Sequence, residues 1–230
     1  LVACGLTHKA IRSRSRRGQL HRLHVGVWAV GHPEVPFEGR MLAAVKACGS
    51  TAVLSHRSAA CLWGFLDLEE RDPEVTVLGR GTRVRPAIVV HRTLARVPRD
   101  VTRFRAVPVT TPARTLLDLA AVIDGSSLRH AVRRAEGMRL VNVRQLAETC
   151  QRLGPRRGSR KLGLILATGS APTRSVLESV VLDLILSSGL AHPEVNVALS
   201  LGGRRLVPDF RWPAQDLVVE ADGAAWHDQK

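Results

Sequence analysis

Apolar positions along the chain change period several times, and each change marks an element. Near the start, Thr7 can cap a short helix with Ala10 and Ile11, and Ser15 at the margin, as its inner stripe and Gly18 as its stop. Leu20, Leu23, Val25, Val27 and Ala29 then come close to strand alternation, with Gly26 as the bend, so the front reads as a helix and a small hairpin. Farther on, "HRSAACLWGF" reads as a helix with Ser55 as N-cap, and "EVTVLG" and "AIVVHR" as strands around the turn-rich "RGTRVRP". The run "VPVTTPARTLLDLAAVI" predicts a short strand, a helix start at Thr111-Pro112 and an apolar helix through Ile123. Two more helices follow in "SSLRHAVRRAEGM" and "VNVRQLAETCQRL", the second capped by Asn142. The Gly-, Pro- and Arg-rich ends of "RLGPRRGSRKLGLILATGSAPT" read as a linker around one short helix, with a domain boundary near residue 165.

In the tail, Thr173 can cap a helix that runs to about Ser188 and closes at Gly189. Its predicted buried face is Leu177, Val180, Val181, Leu184 and Ile185, with Glu178 one residue beside it. Val195, Val197, Leu199 and Leu201 alternate up to a two-residue hairpin at Gly202-Gly203. The returning strand carries "VPDF", where Pro208 removes a ladder donor just before Asp209. In the last strand, "DLVVEAD", Val218, Glu220 and Asp222 share one face and Val219 and Ala221 the other.

Two carboxylates on one strand face repel each other unless a cation neutralises them. Glu178, Asp209, Glu220, Asp222 and His227 are therefore the candidate catalytic set, drawn from one helix and a three-stranded meander. Carboxylates from adjacent strands and a packed helix suit a hard ion such as Mg²⁺, whose retained water can attack a phosphodiester. An imidazole nearby can orient that water or protonate the leaving oxygen. The competing reading is that these acids decorate a sheet rim.

Composition narrows the class. At 230 residues the chain holds one large domain or two to three small ones, and 45% apolar residues suffice for a core. No apolar run of eighteen residues occurs, so no membrane partner is expected, and the first residues lack the pattern of a secretory signal. Cys4, Cys48, Cys61 and Cys150 form no CxxC pair, which suits a reducing cytoplasm rather than a zinc ribbon or a disulfide framework.

The formal net charge is +14. Lys9, Arg12, Arg14, Arg16, Arg17 and Arg22 stand among the first 32 residues without a single acid, whereas residues 171–230 carry five basic and eight acidic side chains. Arg supplies nearly all the positive charge, and its planar fork favours phosphate. A GC-rich genome also inflates Arg, but it does not remove acids from the front. The six basic residues are the candidate DNA contacts: a basic helix followed by a hairpin is the arrangement of a winged helix-turn-helix. The alternative is a small cap with a solvated basic face. His56 and Arg57, at a helix start, either meet phosphate or are ordinary surface, and nothing else in the middle forms a catalytic constellation by spacing.

These stretches carry resemblances. The front resembles the winged-helix module that opens abortive-infection-type antitoxins of type IV toxin–antitoxin systems. The series "LSHRSAACLWGF" and "VHRTLARVPRDVTRFRAVPVTTPARTLLDLA" is similar to the C-terminal domain of the same group over about residues 40–140. That resemblance implies binding and transcriptional control rather than catalysis, and makes a cognate toxin subunit a further partner to consider. The chain opens on Leu1, close to the recognition helix, so the module is expected to be cut short. Helix-Glu, "PDF" and "VEADGAAWH" resemble the PD-(D/E)xK nuclease superfamily, closest to the domain grouped with very-short-patch mismatch-repair endonucleases, over about residues 172–230. The resemblance implies that Asp209 and Glu220 hold Mg²⁺ and that Glu178 assists. It places Asp222 where the superfamily has Lys, and matches His227 to the subgroup's His. That fold continues with a basic helix and a last strand, so the tail domain is expected to be incomplete.

The expected protein is α+β. It has a partial winged helix at 1–33, an antitoxin-like α+β domain with a helical linker at 34–165, and a restriction-endonuclease-like α/β domain at 166–230. The expected function is that of a metal-dependent DNA endonuclease with a DNA-binding front. Its alternative is a non-catalytic DNA-binding antitoxin or transcriptional regulator that keeps the nuclease fold as scaffold.

Overall fold

The computed structural model describes residues 5–79, 85–94, 98–168 and 176–221. The chain is α+β and divides into two compact units, Leu1–Leu119 and Ala120–Lys230. Among the described residues no helix is long and apolar enough to cross a membrane.

The first unit opens with α1 (His8–Arg16), whose first free amides are partly met by Thr7: its hydroxyl accepts from the Ala10 amide at 3.2 Å. Ile11 is the buried residue of α1, and the chain leaves the helix through Gly18 at φ +69°. Strands β1 (Leu20–His24) and β2 (Val27–Val30) pair antiparallel, Leu20 opposite Val30, around Gly26 at φ +81°. Helix α2 (Phe37–Cys48) packs on this hairpin and on the sheet behind it. It buries Met41, Ala43, Ala44, Val45 and Ala47, a spread too wide to leave a polar stripe.

That sheet contains β3 (Val53–Leu54), β4 (Glu74–Leu78), β5 (Val89–Thr93), β6 (Val101–Phe104) and β7 (Val107–Thr110) in the order β5-β4-β3-β7-β6. It is mixed: β4 runs parallel to β5 and β3 to β7, while β3–β4 and β6–β7 are antiparallel. Helix α3 (His56–Trp63) leaves β3 at once, and α4 (Pro112–Leu119) leaves β7, stopping at Leu119 rather than at Ile123. The two helices pack together. Trp63 joins α3 to the sheet, its indole N–H donating to the Thr110 carbonyl at 2.9 Å and its ring stacking on Phe104 at 4.4 Å. Leu54, Val75, Val107, Val109, Leu116, Leu117 and Leu119 are fully buried and form the core.

The second unit begins with α5 (Gly125–Gly137), α6 (Val143–Leu153) and α7 (Ser159–Thr168). Asn142 and Gln145 exchange side-chain and backbone hydrogen bonds in a capping box at the start of α6. The stretch read as a linker is instead packed: α7 contacts α5 and α6 and buries Leu162 and Ile165. Gly158 lies so close to the Ala120 backbone that a Cβ would sit 2.4 Å from its carbonyl, and Lys161 donates to the carbonyls of Ala120 and Ile123. These helices, grouped by sequence with the middle of the chain, fall in the second compact unit.

Helix α8 (Val176–Ser187) turns only part of the predicted face inward, Ile185 and Val181. Leu177, Val180 and Leu184 are exposed, whereas Glu178, Leu182 and Ile185 are buried. Leu182 and Ile185 pack against Phe210 and Trp212, with Val181, Val195, Val219 and Ala221 around them. The sheet they cover has the order β12-β11-β8, made of β8 (Glu194–Val195), β11 (Phe210–Trp212) and β12 (Leu217–Val219), all antiparallel. The Gly202-Gly203 turn joins β9 (Leu199–Leu201) to β10 (Arg204–Leu206) as a separate two-stranded hairpin. The strand expected to carry "VPDF" is thus broken at Pro208: β10 ends at Leu206 and β11 starts at Phe210.

Candidate functional site

The register of β11 on β12 sets Phe210 opposite Val219, and Asp209 and Glu220 lie immediately beyond that pair, one residue outside each strand. Hydrogen bonds hold this pair. The Glu220 carboxylate accepts the Asp209 backbone amide at 3.3 Å, and Asp209 Oδ2 accepts the Ala221 amide at 2.8 Å. Each acid therefore binds the backbone of the partner strand, which fixes both carboxylates at one strand end. Asp209 is half-buried and Glu220 exposed.

Glu178 reaches this region from α8. It is buried, and its Oε2 accepts from the Asn196 side-chain amide at 3.3 Å. The Asn196 backbone amide in turn donates to the Asp209 carbonyl at 3.1 Å, so one residue links the helix acid to the strand pair. The three carboxylates do not converge on a single point. Among the described residues, the only group of three or more His, Cys, Asp or Glu with ligand atoms all within 4.8 Å of one another is His56, Glu74 and His91. Asp222, His227 and the proposed cap Thr173 lie outside the described residues.

At the front, Lys9, Arg12, Arg14, Arg16 and Arg17 are all exposed on α1 or just after it, and Arg22 is exposed on β1. Ile11 faces inward, so the basic residues occupy the rest of the helix surface. Arg17 folds back onto the Ser13 hydroxyl at 3.1 Å, and the other five extend the positive face.

The His56 cluster belongs to the first unit and was not read from sequence. His56 is buried, not surface, and sits in the left-handed region at φ +50°. Its ring stacks on His91 with centroids 3.5 Å apart and planes 16° apart. Nε2 of His91 lies 2.7 Å from Glu74 Oε2, while Arg57 lies 3.9 Å from the other Glu74 oxygen. Ser55, expected as a side-chain cap, makes no cap bond. Its hydroxyl instead meets His56 Nδ1 at 2.9 Å and accepts from Thr76 Oγ1 at 2.8 Å. Burial, helped by His91, Arg114 and Arg57, pushes the His56 imidazolium down to about 3, so the ring is neutral at ordinary pH. The three side chains could hold a metal ion.

No family model and no curated protein matches the chain.

Proposed function

We propose that the protein is a metal-dependent DNA endonuclease whose basic front binds the duplex and whose second unit carries the hydrolytic carboxylates. The observation that carries this reading is the Asp209–Glu220 pair, two acids locked opposite each other by bonds to the partner backbone. Their donor set is all oxygen, which fits Mg²⁺ rather than a soft metal. With Oδ2 of Asp209 occupied by the Ala221 amide, Oδ1 is the atom it offers, and Glu220 contributes from the facing strand. Bound there, Mg²⁺ would supply positive charge beside the scissile phosphate and lower the pKa of a water. The protein's own part is to hold Asp209 and Glu220 in register, while Glu178 and Asn196 brace the strand end from α8. The water oxygen adds to phosphorus and the bond to the leaving sugar oxygen breaks. One water proton then passes to that oxygen, the role the motif assigns to His227. The resemblance to PD-(D/E)xK nucleases supports the same assignment.

The front supports a winged-helix mode of binding, with α1 entering the major groove and the β1–β2 hairpin beside it. Each Lys or Arg that neutralises a phosphate contributes about −0.9 to the slope of log K against log salt. Arg12→Ala with Arg16→Ala is therefore expected to flatten that slope by about 2 and to weaken binding to all sequences alike. A slope that stays at the wild-type value in filter binding from low to high salt would remove α1 from the interface.

The plasmid assay tests the function itself. Supercoiled plasmid incubated with the protein and Mg²⁺ is expected to be nicked, and a chelator to stop the reaction. Intact plasmid at every Mg²⁺ concentration contradicts it. The separation of Glu178 from the acid pair favours one second reading, a DNA-binding regulator that keeps this fold as scaffold. It predicts tight, sequence-selective binding without metal and no nicking.

A further inference from the structure

His56, Glu74 and His91 take no part in the reading above, yet they are the described side chains that come closest together as metal ligands. We propose that they bind one borderline divalent ion of the Zn²⁺ type, at a site in the first unit separate from the carboxylates of the tail. Two imidazoles and one carboxylate form the donor set that holds Zn²⁺ with a further position open, whereas Mg²⁺ prefers oxygen alone.

The fold supplies the three ligands from different elements. His56 starts α3 immediately after β3, with its backbone at φ +50° and its ring stacked on His91. Glu74 starts β4, and the parallel register with β5 sets Thr76 opposite His91, so Glu74, Thr76 and His91 share one sheet face. A left-handed histidine is strained, and such strain persists where the surroundings hold a residue for a purpose.

Groups behind the ligands are arranged as a metal site requires. Ser55, whose hydroxyl is itself fixed by Thr76, lies 2.9 Å from His56 Nδ1; in the tautomer that donates Nδ1–H to Ser55, the lone pair for a metal is on Nε2. Arg57 approaches Glu74 Oε1 and leaves Oε2, the oxygen facing His91, to the ion. The nearby Arg114 is held between Asp100 and Asp118, whose carboxylates oppose its charge. Entry runs past His91 and Arg57, whose side chains are 25% and 30% exposed. A metal lies in the plane of each imidazole that binds it. Binding must therefore open the His56–His91 stack and replace the His91–Glu74 hydrogen bond, a movement the part-exposed His91 can make.

Co²⁺ is the probe, because a nitrogen-containing site of low coordination number gives it visible absorption. The titration is made on chelator-stripped protein carrying Asp209→Ala, so that the oxygen-only pair contributes nothing. The expected result is one equivalent of absorbing Co²⁺, displaced by Zn²⁺. His91→Gln, at a position open enough to tolerate it, should weaken binding by more than about 100-fold, beyond the loss from a residue that merely supports a ligand. Glu74→Gln should do the same with an unchanged circular dichroism spectrum. Absence of the Co²⁺ band, or an equal titration in His91→Gln, overturns the proposal without touching the nuclease reading.

Discussion

Asp209→Ala is expected to reduce Mg²⁺-dependent plasmid nicking by a factor on the order of 10³, about 4 kcal/mol of transition-state stabilisation. The substitution removes one oxygen ligand and also the acceptor that fixes the Ala221 amide at the end of β12. Asp209 is half-buried at a strand end rather than in the core, so the folded protein is expected to survive. Single-turnover nicking beside a thermal melt separates the two effects. Loss of nicking with an unchanged melting temperature is the expected result, and nicking within about twofold of wild type would remove Asp209 from the reaction.

Arg114→Ala is expected to cost the first unit about 3–5 kcal/mol. The guanidinium is 8% exposed and lies between two carboxylates, with Asp118 Oδ1 at 2.8 Å from Nε and Asp100 Oδ2 at 3.7 Å from Nη1. Both acids are themselves buried. Removing the cation takes the guanidinium partner from both buried acids, which costs far more than the pair contributes when intact. Urea unfolding reads the change as a lower midpoint. The double variant Arg114→Met with Asp118→Leu should recover part of the loss, because it removes a charge from each sign. A single Arg114→Ala midpoint equal to wild type contradicts this account of the core.

Elements declared by short-range chemistry were legible before the structure. The Thr7 and Asn142 caps each bond an amide three residues on, so the residue types at that spacing name the helix start. Gly26 and the Gly202-Gly203 turn sit at positive φ, as hairpins need. The β6–β7 hairpin left no such mark, because Arg105 and Ala106 hold the left-handed conformations that Asn-Gly usually supplies. Helix α2 was missed because Ala and Val surround it and no polar stripe sets a period. In α8 nearly every direction is apolar, so periodicity cannot choose a face. The sheet chooses, taking Leu182 and Ile185 to Phe210 and Trp212 and burying Glu178 with them.

The two acid and imidazole groupings differ in the same way. Asp209 and Glu220 lie eleven residues apart, each one residue outside a neighbouring strand, where hydrogen bonds to the facing backbone bring them together. Glu74 and His91 meet only because β4 and β5 run parallel, a pairing that the strand-like runs on either side of a turn-rich segment do not announce. His56 adds a third element, and a histidine opening a helix gives no warning that its backbone is left-handed.

The proposed reaction requires Asp209 and Glu220 to share one hard cation. Mn²⁺, which accepts the same oxygen ligands as Mg²⁺ and is visible by electron paramagnetic resonance, measures this directly. The prediction is one Mn²⁺ per chain, displaced by Mg²⁺ and lost in both Asp209→Ala and Glu220→Ala, with His91→Gln unchanged. Undiminished Mn²⁺ binding in the double Asp209→Ala, Glu220→Ala protein, or none in the wild type, would contradict it.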